Sequence, residues 1–294
     1  MPDIAFWNKC NSNCIMCTNM DSFIKQNSAR YDLKHQIKKF ENYLIHGGTY
    51  VTNSKDTSFL SLTGGEPTLH PDFFKLITYF RRRVPGSRMV LLTNARKFAS
   101  PAFTKKFMSL AKPPFEIGCA LHGSTAAKYE AITRAKGAFA QALKGIENIL
   151  KLSNGQRLEI RIVLIKQNIK DFENILRLLL RKFPDTSKYR IVVIQYEIEG
   201  MSLINHKKIA LTLKESSAII NRSFNSIRKF EDFRLYHFPL CVLSAGLRKY
   251  AWITLPREDR IYKKECGKCS QKKKCLGLMK SYVQYFGSDE IQSL

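Results

Sequence analysis

Long hydrophobic runs are missing from this sequence: no stretch reaches the roughly 18 apolar residues that a membrane span requires. The start, Met1-Pro2-Asp3-Ile4, also lacks the basic stretch and apolar run of a secretory signal. These absences set the expectation of a cytoplasmic protein with no membrane partner. Internal repeats and low-complexity tracts are absent too. With 44% hydrophobic residues, a 294-residue chain can bury the core of one large α/β domain, or of such a domain with a small appendage.

Acidic residues are scarce. Asp and Glu number 24 against 49 Lys and Arg, a formal net charge of +25, which favours an acidic partner such as nucleic acid, an acidic peptide or an acidic electron donor. Most of the basic residues are dispersed (Arg81 to Arg83, Lys105-Lys106, Arg181-Lys182, Lys207-Lys208), as on any solvated basic surface. The segment from Gly246 to Cys275 is denser, with ten Lys/Arg against three Asp/Glu.

Cysteine is too sparse, at eight residues, for a secreted disulfide scaffold, and it is clustered, which favours metal or redox use. Cys10, Cys14 and Cys17 have three and then two residues between them. Three thiolates so close are not a finished disulfide set and fall one ligand short of a closed tetrahedral zinc site. They suit a cubane iron-sulfur cluster with one open iron. Cys241, Cys266, Cys269 and Cys275 form a second group, and Cys119 stands alone as an expected core thiol.

The first group and the later Ser61-Leu62-Thr63-Gly64-Gly65-Glu66-Pro67 together resemble the two signatures of the radical S-adenosylmethionine (SAM) superfamily. The resemblance implies that Cys10, Cys14 and Cys17 hold a [4Fe-4S] cluster whose fourth iron is chelated by SAM. It implies that Gly64 and Gly65 meet the SAM amino group with Glu66 and Pro67 nearby, the missing side chains letting the ligand approach the backbone. Met16 matches an apolar position against the adenine. Thr93 and Asn94 match a Thr-Asn-Gly, with Ala95 in place of the glycine. Arg134 matches a position that could grip the SAM carboxylate, and Arg161 and Asn168 match polar positions contacting SAM; each also admits a purely structural reading. One departure concerns the ribose: relatives often show Ser-Leu-Asp-Gly where this chain has Ala120-Leu121-His122-Gly123, leaving Ser124 or His122 as substitutes.

Cys266-Gly267-Lys268-Cys269 and Cys275, with Cys241 upstream, resemble the auxiliary-cluster domains called SPASM, or their shortened Twitch form. Four thiolates complete one further [4Fe-4S] cluster, although a four-cysteine zinc site fits the ligand set equally. Tyr129 to Phe139 resembles a helix start of peptide-modifying members. The resemblance therefore implies maturation of a ribosomally made peptide, of the His-Xaa-Ser type among other possibilities. The electron donor would be acidic, such as a flavodoxin or ferredoxin. Because the first strand begins almost at Met1, no peptide-binding domain is expected before it, and a separate leader-binding protein, or direct docking on the basic surface, would supply that function. The charge keeps two rivals open: a radical SAM enzyme that modifies RNA, and a non-catalytic zinc-containing nucleic-acid binder.

Hydrophobic periodicity predicts strands at Asp3 to Asn8, Ser58 to Leu62, Met89 to Thr93, Phe115 to Leu121, Leu158 to Ile165 and Tyr189 to Glu197. Helices are predicted at Tyr31 to His46, ended by Gly47-Gly48, at Pro71 to Val84, from Ser100-Pro101, over most of Ala126 to Leu152, and at Asp171 to Phe183. Six such units imply a parallel sheet with right-handed crossovers. The family resemblance selects a partial (β/α)6 TIM-like barrel. The expected domains are a core over residues 1–200 and, over 201–294, a helical linker (Leu213 to Phe230) with a small cysteine-rich cluster domain.

Overall fold

The computed structural model describes residues 3–47 and 59–294. Gly48 and Ser58, assigned above to a helix end and a strand start, lie outside the described residues. Eight strands are joined in chain order in one sheet: β1 (Asp3–Trp7), β2 (Phe59–Gly64), β3 (Arg88–Thr93), β4 (Phe115–Ala120), β5 (Arg157–Leu164), β6 (Tyr189–Gln195), β7 (Asp232–Tyr236) and β8 (Ala251–Trp252). Neighbouring strands run parallel from β1 to β4 and from β6 to β8. This is an α/β fold with a parallel sheet of the partial TIM-like barrel kind. Every residue of β6 is buried, as expected of a parallel strand with both faces covered.

The sheet has two strands more than the six expected, and β7 carries it past Gly200. Residues Asp232-Phe233-Arg234-Leu235-Tyr236 alternate charged and apolar over only five positions, too short a signal beside a helix. Pairing decides the matter: Phe233 and Leu235 are buried, and the Asp232 carboxylate accepts from buried Arg190 at 2.8 Å and from Arg234 at 3.1 Å. β8 has two residues, below any periodic signal.

Local chemistry sets the helix ends. Asp32 caps Leu33–His46 by accepting from the His35 N–H, and Ser100 caps Pro101–Leu110 by accepting from Phe103. The expected Ala126 to Leu152 helix is two helices, Ala126–Thr133 and Ala138–Leu152, parted by left-handed residues at Arg134 (φ 51°) and Gly137 (φ 74°). The expected Leu213 to Phe230 helix likewise divides into Leu213–Arg222 and Phe224–Ile227.

Chain contacts define two compact units. The first comprises Met1–Asn13, Asn19–Leu121 and Thr133–Ile160. Its core is aromatic: Phe40 and Phe6 pack on Phe80 with ring centres 4.0 and 5.1 Å apart, and Phe107 meets Phe98 and Phe115 edge-on. The second comprises Cys14–Thr18, His122–Ile132 and Arg161–Leu294. There Phe172, Ile175, Leu176 and Leu179 form the buried face of Phe172–Lys182, while Ile191, Val193, Phe233 and Leu235 fill the strands. Among the described residues no helix is long and apolar enough to cross a membrane.

Candidate metal centres

In the first unit, β1 delivers Cys10 into a loop held from several sides. Buried Asn8 donates to the Gln26 carbonyl at 2.7 Å and accepts from Ser28, and Lys9 Nζ donates to the Ile24 carbonyl. The Gly65 N–H donates to the Trp7 carbonyl at 2.7 Å and that of Glu66 to the Lys9 carbonyl at 2.8 Å. A β-carbon on Gly64, whose φ is +125°, would stand 2.4 Å from the Trp7 oxygen, and one on Gly65 2.4 Å from the Lys9 oxygen. The close approach at these glycines is that of the backbone at Trp7 and Lys9. Asn19 Nδ2 donates to the Gly64 carbonyl at 2.7 Å.

Glu66 is buried, with Pro67 opening the short turn that follows it. One carboxylate oxygen accepts from the Thr68 N–H and from the hydroxyls of Thr68 and Thr93; the other accepts from the Asn94 N–H at 2.7 Å. Burial pushes its pKa up, against the lowering effect of these bonds. Glu66 thus clamps the end of β2 to the end of β3. Asn94 passes the restraint on: its Nδ2 donates to Asn11 Oδ1 at 2.7 Å inside the cysteine loop. Arg96 donates to the Asn11 carbonyl and, through Nε, to Gln141 at 2.6 Å. Ala95 adopts φ 63°, the left-handed conformation that favours glycine. Arg134 is exposed.

The second unit holds the other part of the loop. The Ile15 N–H donates to the Ile132 carbonyl at 3.0 Å, Asn205 Nδ2 donates to the Ile15 carbonyl at 2.9 Å, and the Ser202 N–H donates to the Cys17 carbonyl at 3.1 Å. Met16 is buried. Asn168 has every amide group engaged: Oδ1 accepts from the Ile165 N–H, and Nδ2 donates to the Val163 and His122 carbonyls. Ser124 donates its N–H and its hydroxyl to Asp171, each at 2.7 Å, and Lys128 pairs with the same carboxylate. His122 is buried and its Nδ1 accepts from the Val163 N–H at 3.3 Å, leaving the proton on Nε2. Burial and the charge of Arg161 lower its pKa to about 4. The Arg161 guanidinium lies 5.9 Å from the Tyr236 ring centre. Asn168 and Ser124, read as SAM contacts, are thus tied to the protein itself.

Cys119 is fully buried on β4 and its thiol pKa is raised by that burial, as expected of a core thiol. All eight cysteines are thiols rather than disulfides. In the second unit Cys241, Cys266, Cys269 and Cys275 line one cavity, together with Leu240, Tyr262 and Lys272. Cys275 Sγ accepts from the N–H groups of Leu240 and Gly277, both at 3.4 Å. Among the described residues no three His, Cys, Asp or Glu side chains are gathered as ligands of a single metal ion.

The sequence reading missed Asn11, Arg96, Asp171, Ser202 and Asn205. Asparagine within the cysteine loop was a signal for the first. None existed for Asn205, whose partner lies 190 residues away.

The family model described as the Radical SAM superfamily matches residues 4–179. No curated protein matches the sequence. Among solved structures, Streptococcus suis SuiB bound to S-adenosylmethionine is 14% identical with a TM-score of 0.58, over 88% of this chain and 54% of that one. The protein anSMEcpe with bound AdoMet and Kp18Cys peptide is 16% identical with a TM-score of 0.56, over 79% of this chain and 62% of that one. At such identities the likeness is one of fold. The chain spans about half the length of SuiB.

Proposed function

The chain belongs to the radical SAM superfamily, and from that membership we propose that it cleaves S-adenosylmethionine reductively and uses the resulting radical to abstract a hydrogen atom from a ribosomally made peptide. The carrying observation is the set of three thiols on the loop that leaves β1, within the matched residues 4–179. Membership implies a [4Fe-4S] cluster and SAM, which when bound supply the 5′-deoxyadenosyl radical. The donor set fits: three thiols from eight consecutive residues, none in a disulfide, leave one iron for SAM.

The chain's own contribution is positioning. Cys10, Cys14 and Cys17 hold the cluster. Gly64 and Gly65 let β2 lie against the backbone entering the loop, and the Glu66 clamp with Asn94 and Arg96 fixes that entry. Met16, Gly64, Gly65, Glu66, Pro67, Thr93, Asn94, Ser124, Arg134, Arg161 and Asn168 are the candidates for SAM. Asn168 and Ser124 are also held within the protein, by His122 and by Asp171.

Cys241, Cys266, Cys269 and Cys275 are read as ligands of a second [4Fe-4S] cluster in a SPASM- or Twitch-like region over residues 201–294. The four thiols line one cavity, which supports a shared site, and the ligand set suits either an iron-sulfur cluster or zinc. The peptide substrate is favoured by the fold shared with anSMEcpe, whose structure holds a peptide. An acidic flavodoxin or ferredoxin as electron donor is favoured by the charge of +25.

The test is anaerobic reconstitution, reduction with dithionite and chromatography of the nucleoside product. Wild type should release 5′-deoxyadenosine slowly without substrate. Cys14→Ala should release none, and Cys119→Ala should match wild type. Undiminished product from Cys14→Ala, or none from a wild type whose first cluster is demonstrably reduced, would sink the assignment.

A further inference from the structure

The cavity lined by Cys241, Cys266, Cys269 and Cys275 has a rim of lysines. Six of the twelve residues from Lys263 to Lys274 are lysine, against one Lys or Arg in six for the whole chain, and one, Glu265, is acidic. The lysines interleave with the thiols along two short turns, Lys264–Lys268 and Lys272–Lys274. Lys268 directly precedes Cys269, Lys274 directly precedes Cys275, and Lys272 itself lines the cavity. Lys264, Lys268, Lys272, Lys273 and Lys274 are exposed. Among the described residues the one ion pair in this run is Lys263 with Asp289 at 3.6 Å. Five like charges therefore stand beside four thiols with a single carboxylate, that of Glu265, among them in the run, an arrangement that costs self-repulsion and is relieved by an acidic surface.

The chemistry of the rim selects among acidic partners. Single-stranded nucleic acid needs open aromatic faces between the cations. The aromatic residue in the run's immediate flank, Tyr262, is half-buried, donates its hydroxyl to the Cys275 carbonyl at 2.8 Å and carries Lys272 5.8 Å from its ring centre. The exposed Trp252 has Arg234 on its face at 3.7 Å. An extended acidic peptide would need a sheet edge to extend, and the neighbouring strands Arg260–Ile261 and Leu278–Met279 have two residues each. A folded acidic surface needs neither.

We propose that this lysine rim is the docking surface of an acidic one-electron carrier protein, a flavodoxin or ferredoxin, which delivers its electron at the four-cysteine cavity. The inference rests on the reading of that cavity as an iron-sulfur site. In the step the reduced carrier is oxidised by one electron and the cluster behind the rim is reduced by one; no bond is made or broken.

The experiment uses the reconstituted full chain and a bacterial flavodoxin as probe. Lys264→Glu/Lys268→Glu/Lys273→Glu/Lys274→Glu is compared with wild type and with a control, Lys105→Glu/Lys112→Glu, at exposed positions of the first unit. Wild type should bind flavodoxin with an affinity that falls steeply with salt. The rim variant should bind at least tenfold more weakly and the control should match wild type. Dithionite-driven SAM cleavage should be the same in all three, while flavodoxin-driven cleavage should fall in the rim variant. A milder Lys→Gln set at the same four positions should show a smaller loss of the same sign. Unchanged affinity in the rim variant, equal losses in the control, or tighter binding of single-stranded RNA than of flavodoxin by the rim would overturn the proposal. Metal analysis separates the two readings: zinc in the cavity would overturn both, whereas eight iron with no dependence on the lysines would overturn the docking surface alone.

Discussion

The carbonyl oxygen of Lys9 accepts the Glu66 N–H at 2.8 Å and faces the α-carbon of Gly65 so closely that a β-carbon there would stand 2.4 Å away. The next residue after Lys9 is Cys10, so the turn after β2 and the first thiol share one backbone joint.

Gly65→Ala should therefore disturb the protein before any ligand is bound. The added methyl meets backbone atoms, which cannot swing aside as a side chain would, and overpacking of this kind costs about 1–3 kcal/mol. The expected result is a lower melting temperature of the metal-free chain together with reduced iron uptake. Unchanged melting and full iron content would contradict it.

Arg96→Lys should loosen the cysteine loop and leave the fold intact. The guanidinium bridges the Asn11 carbonyl and Gln141, a two-ended contact that a single ammonium does not reproduce. Iron should be lost to a chelator several-fold faster than from wild type, with a far-UV spectrum that does not change.

His122 should make stability depend on pH in a defined window. Its folded pKa, lowered to about 4 by burial and by Arg161, lies below the unfolded value of 6.5. The unfolded chain therefore binds a proton below pH 6.5 that the folded chain refuses until about pH 4. Stability present above pH 6.5 is lost as pH falls, by about 3 kcal/mol at the lower end of that window. Denaturant midpoints of wild type should fall between pH 7 and pH 5 more steeply than those of His122→Asn, which has no titrating ring. Equal slopes would refute the assignment.

Cysteine replacement should separate the two proposed metal centres. Reconstituted wild type should hold about eight iron, and Cys266→Ala/Cys269→Ala about half of that, because each cubane carries about four. Four iron and one zinc in wild type would remove the second cluster and leave the first.

The parts legible in the sequence were those written in neighbouring residues. Hydrophobic runs separated by helical periods gave six of the eight strands, because burial on both faces selects apolar residues one after another. Ser100 and Pro101 announced a helix start by the same local logic, and Cys119 was readable as a core thiol. What escaped was short or long-range. β7 carries its charges in the strand and earns burial from its neighbours, and β8 is too brief to have a period.

Sequence by itself determined where the cysteines cluster, three on one loop and four further along, and the alternation that demands a parallel sheet, since spacing and periodicity belong to consecutive residues. Tertiary structure alone decided who meets whom. It set the Gly64-Gly65 turn against the backbone of β1, spent the polar groups of Asn168 and Ser124 on the protein, and brought Asn205 to the carbonyl of Ile15. Such contacts join residues far apart in the chain. They follow from how whole elements pack, and no local pattern of amino acids records that packing.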